Sequence, residues 1–233
     1  MHSGEVQSMH VRIKRVQGAF ALDVCFTGLN SGITALFGPS GAGKTSVINM
    51  IAGLVRPDSG HISVGGRVLY DSEQGIAVPP EKRRIGYIFQ ESRLFPHLSV
   101  RSNLTYGMRL VPAQHRKIPL DQVIALLGIE PILSRRPKNL SGGEKQRVAI
   151  GRALLTTPSV LLMDEPLASL DEGRKEELLP FISRISGEFS IPILYVSHAL
   201  HEIHKLTDYV VRLQNGRVAG EGREPGEAAV KSA

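Results

Sequence analysis

Apolar and polar residues alternate along residues 10–16 and again along 20–26, with Val11, Ile13, Phe20, Leu22, Val24 and Phe26 on the repeating positions. A period of two predicts two half-buried strands joined near Gly18, so an antiparallel edge opens the fold. The pattern then shifts to short continuous apolar runs at 33–37, 160–163 and 193–196, which read as strands buried within a sheet. A further strand is expected at 85–89, after the Pro79-Pro80 breaker. Two hairpins are expected to turn at Gly65-Gly66 in "GHISVGGRVLY" and at Asn215-Gly216 in "YVVRLQNGRVAGEG".

Helical spacing appears between these strands. Residues 44–52 follow the first buried run as a helix, and the runs at 160–163 and 193–196 are each followed by another. From 98 to 139 the strand character disappears, and "LDQVIALLGI" carries Val123, Ile124 and Leu127 at helical intervals. The alternation of strand and helix predicts an α/β fold: a mostly parallel sheet core with an antiparallel β edge and an inserted helical subdomain. The expected single domain places the core with its β subdomain at 1–97 and 140–222, the helical insertion at 98–139 and a polar tail at 223–233.

Composition narrows the classes. With 42% hydrophobic and 21% charged residues in 233, the chain has the balance of a folded globular protein. The formal charge of +6 is spread along the chain, with only short clusters such as Lys82-Arg83-Arg84, and aromatic residues make up 5%, too few for a base-stacking platform. Nucleic acid is therefore not the expected partner. No apolar run approaches the roughly 18 to 20 residues of a membrane span, and the start has no secretory pattern, so the protein is expected to stay where it is made. The single cysteine, Cys25, lies in an alternating segment and is expected as a buried, inert thiol in a reducing compartment.

The chemistry begins at "GPSGAGKTS". Gly38, Gly43, Lys44 and Thr45 fit the spacing G-x-x-x-x-G-K-[ST], and Pro39, Ser40, Gly41, Ala42 and Ser46 complete the stretch between a strand and a helix. Glycines let the backbone wrap a phosphate chain so that N–H groups and the helix start face negative charge. Lys44 would reach the β- and γ-phosphates of a nucleotide, and Thr45 would offer a hydroxyl to Mg²⁺. Further on, "VLLMDEP" ends a buried run in two carboxylates. Asp164 would hold Mg²⁺ at the strand end, and Glu165 would face an attacking water as general base.

The stretch "LSGGEKQ" resembles the signature of ATP-binding cassette (ABC) ATPases. The resemblance implies that Ser141, Gly142 and Gly143 bind the γ-phosphate held by a second subunit's phosphate loop. It also implies roles for Gln90 as the Q-loop glutamine contacting Mg²⁺ or the lytic water, for Asp171 of "ASLD" in the loop crossing the dimer interface, and for His198 as the switch histidine on the γ-phosphate. Phe20 is the candidate to stack on adenine, or else faces the core. A metal site at His198, His201 and His204 is disfavoured, because "HEIH" spaces its histidines by three where H-E-x-x-H needs four.

Longer stretches, among them "EKRRIGYIFQESRLFPHLSVRSNLTYGM" and "LSGGEKQRVAIGRALLTTP", are similar to the ATPase subunit of bacterial molybdate importers. That likeness implies a homodimer working on ATP and Mg²⁺ with an integral membrane permease dimer, on the cytoplasmic face of the cell membrane, and indirectly with a periplasmic or extracellular substrate-binding protein. Sulfate or tungstate is the alternative cargo, and a soluble ABC-type ATPase acting on nucleic acid the remoter alternative. A small-molecule kinase would not need the signature. Many such importer subunits add a C-terminal regulatory domain of small β-barrels, which this sequence lacks, either as a truncation or as a version without it. In "ESRLFPHLSV", Leu94, Phe95, Pro96 and Leu98 would line a groove for a permease helix or pack into the helical insertion's own core.

Overall fold

In the computed structural model, which describes residues 9–224, the alternating segments pair as β1 (Met9–Gln17) and β2 (Phe20–Gly28), with Val11 opposite Phe26 and Ile13 opposite Val24. Strand β3 (Ile33–Phe37) runs through the glycine-rich turn into helix α1 (Lys44–Ala52). A second hairpin, β4 (Ser59–Val64) and β5 (Arg67–Asp71), is extended by the two-residue β6 (Ile76–Ala77), too short to leave a sequence signature. After β7 (Ile85–Ile88) come α2 (Val100–Met108), α3 (Leu120–Leu127) and α4 (Gly142–Leu154). The chain then alternates through β8 (Val160–Asp164), α5 (Glu172–Phe189), β9 (Ile193–Ser197) and α6 (Leu200–Leu206), and closes on β10 (Tyr209–Gln214) and β11 (Arg217–Arg223). Of the expected tail, residues 225–233 lie outside the described residues.

The eleven strands form one sheet in the order β6-β5-β4-β1-β2-β11-β10-β3-β9-β8-β7. From β10 to β7 every neighbour pair is parallel; on the other side the pairs are antiparallel except β2 with β11, so the sheet is mostly parallel at one end with an antiparallel edge at the other. Strands β3, β8 and β9 are covered on both faces, which explains their unbroken apolar runs. In β8, Val160 and Leu162 join a core with α1 and the antiparallel strands, while Leu161 and Met163 join a core with the helices. Segment 98–139 carries helices and short helical turns, and its Leu104, Val123, Leu127 and Ile129 are continuous with that second core.

One reading of the sequence changes. Cys25 is exposed, not buried: Leu22, Val24 and Phe26 take the inward positions of β2, so the residue between them must face out. Leu94 packs against the helical core and Phe95 is half-buried, its ring 4.4 Å from that of Tyr106 and 5.2 Å from the Arg152 guanidinium. The fully buried Asn103 fixes this loop by accepting from the Phe95 N–H at 2.8 Å and donating to the carbonyls of Phe95, Leu98 and Ser99.

The basic cluster at 82–84 is not a surface patch throughout. Arg83 is buried and donates to the carbonyls of Val78 (2.7 Å), Met50 (2.9 Å) and Ile51 (2.6 Å), closing the carboxyl end of α1. Gly53, at φ 82°, ends that helix and leaves the space: a Cβ there would lie 2.5 Å from Arg83 Nε. Charged donors to carbonyl oxygens each contribute more than neutral ones. Arg83→Leu is expected to lower unfolding free energy in urea by about 2–4 kcal/mol. A variant within about 0.5 kcal/mol of the parent, the range of ordinary surface changes, would show that water replaces the arginine there.

Candidate functional site

Because β3, β7, β8 and β9 run parallel, their carboxyl ends open on one edge of the sheet, where ligands of such sheets bind. The loop after β3 is the glycine-rich stretch. A Cβ on Gly38 would sit 2.2 Å from the Leu213 carbonyl oxygen, so only glycine lets the chain pass β10 here. The last hairpin clasps the loop again through the Gly216 N–H, which donates to the Ala42 carbonyl at 3.1 Å. Gly43, at φ 102°, turns the backbone into α1, whose first N–H groups then face the loop's interior.

Lys44 is only 5% exposed, yet its charge is met from three sides. Its Nζ donates to the carbonyls of Gly38 (2.7 Å) and Pro39 (3.0 Å) and stands 3.7 Å from Glu165 Oε1. The other Glu165 oxygen lies 3.2 Å from His198 Nδ1. Glu165 holds this position with φ 46°, a left-handed backbone that glutamate adopts at a cost of roughly 1–2 kcal/mol, and its N–H donates to Val196 of β9 at 3.0 Å. Phe20, Ser40, Gly41, Gly43, Lys44, Thr45, Ser46 and Glu165 surround a cavity of about 320 Å³. Phe20 lines this cavity and also packs partly against the core beneath α1.

Asp164 ends β8 directly behind. Thr45 Oγ1 donates to its Oδ1 at 3.2 Å, and the Tyr87 hydroxyl stands 3.2 Å from Oδ2 and 2.9 Å from Asn49 Oδ1. Burial raises the Asp164 pKa above the usual carboxylate value, against the hydrogen bonds from Thr45 and Tyr87. Burial and the facing Asp164 in turn push the Tyr87 phenol up. A hydroxyl and a carboxylate in contact form the hard-oxygen set that magnesium takes, and the cradle of N–H groups with one lysine suits a polyphosphate. The residues present therefore fit a magnesium nucleotide.

Tyr87 and Asn49 were missed from the sequence. Asn49 had a signal, as the one polar residue in an apolar helix turn at i+4 from Thr45. Tyr87 had none, because its role comes from the neighbouring strand.

Other expected residues stand apart from the cavity lining. Ser141 caps α4 in a reciprocal box with Glu144: the Glu144 N–H donates to Ser141 Oγ at 3.2 Å, and the Ser141 N–H to Glu144 Oε2 at 2.7 Å. The Ser141 N–H is the main cause of the lowered Glu144 pKa. Gly142 abuts Leu170, while a Cβ on Gly143 would meet nothing within 4 Å. Asp171 caps α5 through the Arg174 N–H. Gln90 is exposed beyond β7. The three histidines each face a different carboxylate, His198 with Glu165, His201 with Glu172 and His204 with Glu224.

Comparison with known proteins adds an outside reference. Residues 23–168 match the family model described as ABC transporter. The chain is 60% identical over 210 residues to the molybdenum import ATP-binding protein ModC of Paramagnetospirillum magneticum, covering 90% of this chain and 58% of that protein. Against ModC of Rhodospirillum rubrum the identity is 60% over 214 residues, 92% and 58% of the two chains. The chain thus spans less than two thirds of the length of these curated relatives. Among solved structures, cbiO1 from Clostridium perfringens, part of the ABC transporter complex cbiONQ, superposes with TM-score 0.80 at 25% identity over 98% of this chain and 92% of that one. The ATP-binding cassette MJ0796, solved as a post-hydrolysis dimer with ADP and Pi, gives 0.74 at 23% over 94% and 99%.

The buried acid has a measurable consequence. A carboxyl whose folded pKa is raised stabilises the fold only at low pH, and that contribution is lost as pH rises through the folded value. Asn at 164 accepts from Thr45, and its NH₂ donates to Tyr87, whose proton then goes to Asn49. Asp164→Asn should therefore melt a few degrees higher than the parent without nucleotide at pH 8, with a smaller gain as pH falls toward the carboxylate range. Scanning calorimetry across pH checks this, and a lower melting temperature at pH 8 contradicts it.

Proposed function

Given that the chain belongs to the ABC transporter family, we propose that it is the ATP-hydrolysing subunit of a bacterial importer whose cargo is molybdate. The observation that carries the ATPase reading is Glu165 set between Lys44 and His198 at the mouth of the phosphate cradle. The cargo rests on identity of 55–60% to proteins named for molybdenum import. Sulfate-driven stimulation of ATPase activity in the vesicle assay below would reassign it.

In this reading Gly38, Pro39, Ser40, Gly41, Ala42, Gly43, Lys44, Thr45 and Ser46 bind the phosphates, with Phe20 against the base. Thr45, Asp164 and Gln90 would hold Mg²⁺, which neutralises charge on the phosphate oxygens when bound. Glu165 accepts the proton of the attacking water, and His198 donates to the terminal phosphate. Before phosphate arrives, the Lys44 ammonium is occupied by the Gly38 and Pro39 carbonyls and by Glu165. Binding then exchanges partners that are already hydrogen-bonded, so little of the lysine's desolvation falls on the nucleotide.

The signature residues belong to the other half of the site. Ser141, Gly142 and Gly143 do not line the cavity, and the space above Gly143 is open, which supports two copies sandwiching two nucleotides head to tail. Asp171, beside the signature on α5, would cross between the copies. Segment 98–139 acts as the helical subdomain that moves with the signature. A permease dimer, fed by a substrate-binding protein, would sit against the half-buried Phe95 loop. Among the described residues no helix is long and apolar enough to cross a membrane, so attachment to the cytoplasmic face would come through that permease. Nucleic acid has no part in this reading.

Glu165→Gln should bind ATP yet lose turnover by about 10²- to 10⁴-fold, because an amide cannot take the proton from water. The ATP-loaded variant should elute as a dimer in size-exclusion chromatography, and near-parental hydrolysis would remove Glu165 from the role. Gly143→Ala separates chemistry from stability. The methyl meets nothing within one chain and alanine favours a helix by up to about 1 kcal/mol, so melting temperature should hold or rise while hydrolysis falls. Unchanged hydrolysis would place the shared site elsewhere. With its permease and binding protein in vesicles, ATPase activity should rise with molybdate and not with sulfate.

A further inference from the structure

One layer behind His198 lies a polar cluster that the proposed chemistry leaves unused. Glu202 on α6 is only 4% exposed, and its Oε2 accepts from the hydroxyls of Tyr195 and Ser197, each at 3.0 Å. Its Oε1 stands 3.2 Å from Lys175 Nζ on α5. Ser197 Oγ in turn accepts from the Ala199 N–H at 3.0 Å. Carboxylate, hydroxyl and amide thus form a chain that brackets His198. At the far end, the Lys175 N–H donates to the carbonyl of Asp171, the cap of α5. Glu165, Lys175, Ser197, His198 and Glu202 also share the wall of a cavity of about 60 Å³.

A carboxylate buried between a strand and a helix costs several kcal/mol unless its oxygens are satisfied, and an apolar residue there would serve stability as well or better. What the carboxylate adds is direction. Three donors from β9 and α5 converge on it, and its reach through Ser197 decides how the turn after β9 presents its exposed histidine. We infer that Glu202 is a positioning residue: it fixes the turn from Ser197 to Ala199 so that His198 stays in contact with Glu165, and through Lys175 it ties that turn to the Asp171 end of α5. The inference rests on the roles proposed for His198 and Glu165. It supplies a direct mechanical link between the dimer-facing end of α5 and the switch histidine.

Glu202→Gln keeps the shape and still accepts from a hydroxyl, but it offers Lys175 no charge. Its kcat for ATP should fall about 10- to 100-fold, the cost of a misplaced group near 1 Å, while KM stays within about twofold. The imidazole NMR signal of His198, assigned by its loss in His198→Gln, should shift in the nucleotide-free variant. Glu202→Gln with Lys175→Gln, which pairs two amides, should recover part of kcat. If Glu202→Gln does not fold, Ser197→Ala cuts the same chain at its middle and carries the same expectations. An unmoved His198 signal, or a kcat equal to the parent's, overturns the inference. A parent protein that hydrolyses no ATP overturns the functional reading instead, and the NMR comparison still decides whether Glu202 positions His198.

Discussion

Parallel strand direction is the constraint on which this structure depends. Four strands, β3, β7, β8 and β9, point the same way, so the residues that follow them meet on one edge although they lie far apart in sequence. Gly38, Gln90, Glu165 and His198 all follow such a strand closely. Burial on both faces leaves β8 no freedom to slip, since a shift of one residue would exchange the two cores that Leu161 and Leu162 separate. The precision of the site is inherited from the sheet.

Within that frame the charges are arranged in layers. Lys44 and Glu165 hold each other at the cavity, Asp164 sits behind them among hydroxyls, and Glu202 lies further in among two hydroxyls and an ammonium. No charge in this series is buried without hydrogen-bond partners, as a low-dielectric interior demands. The signature end of α4 and the cap of α5 stand side by side through Gly142 and Leu170, so motifs distant in sequence share one surface without sharing the cavity.

Much of this was legible in the sequence where the signal is local. Period two marked β1 and β2, continuous apolar runs marked β3, β8 and β9, and Gly65-Gly66 and Asn215-Gly216 marked two hairpin turns. The same alternation also decides Cys25, since inward Val24 and Phe26 leave it only the outer face. What stayed hidden depends on partners distant in sequence. Arg83 reads as one of three basic residues until the end of α1 is beside it, and Tyr87 as an ordinary strand residue until Asp164 faces it. Glu202 reads as an exposed helix acid until Tyr195 and Ser197 enclose it.

The left-handed backbone at Glu165 bears on how this protein would respond to selection in the laboratory. Glycine or asparagine takes that conformation more readily than glutamate, so the position is a ready route to a hardier chain. On the role proposed for Glu165, a library screened for heat resistance alone would drift toward such replacements and collect inert proteins. One screened for growth on scarce nutrient would retain the acid and repair stability at distant positions, which makes the pattern of substitutions around position 165 a record of what the protein was being selected to do.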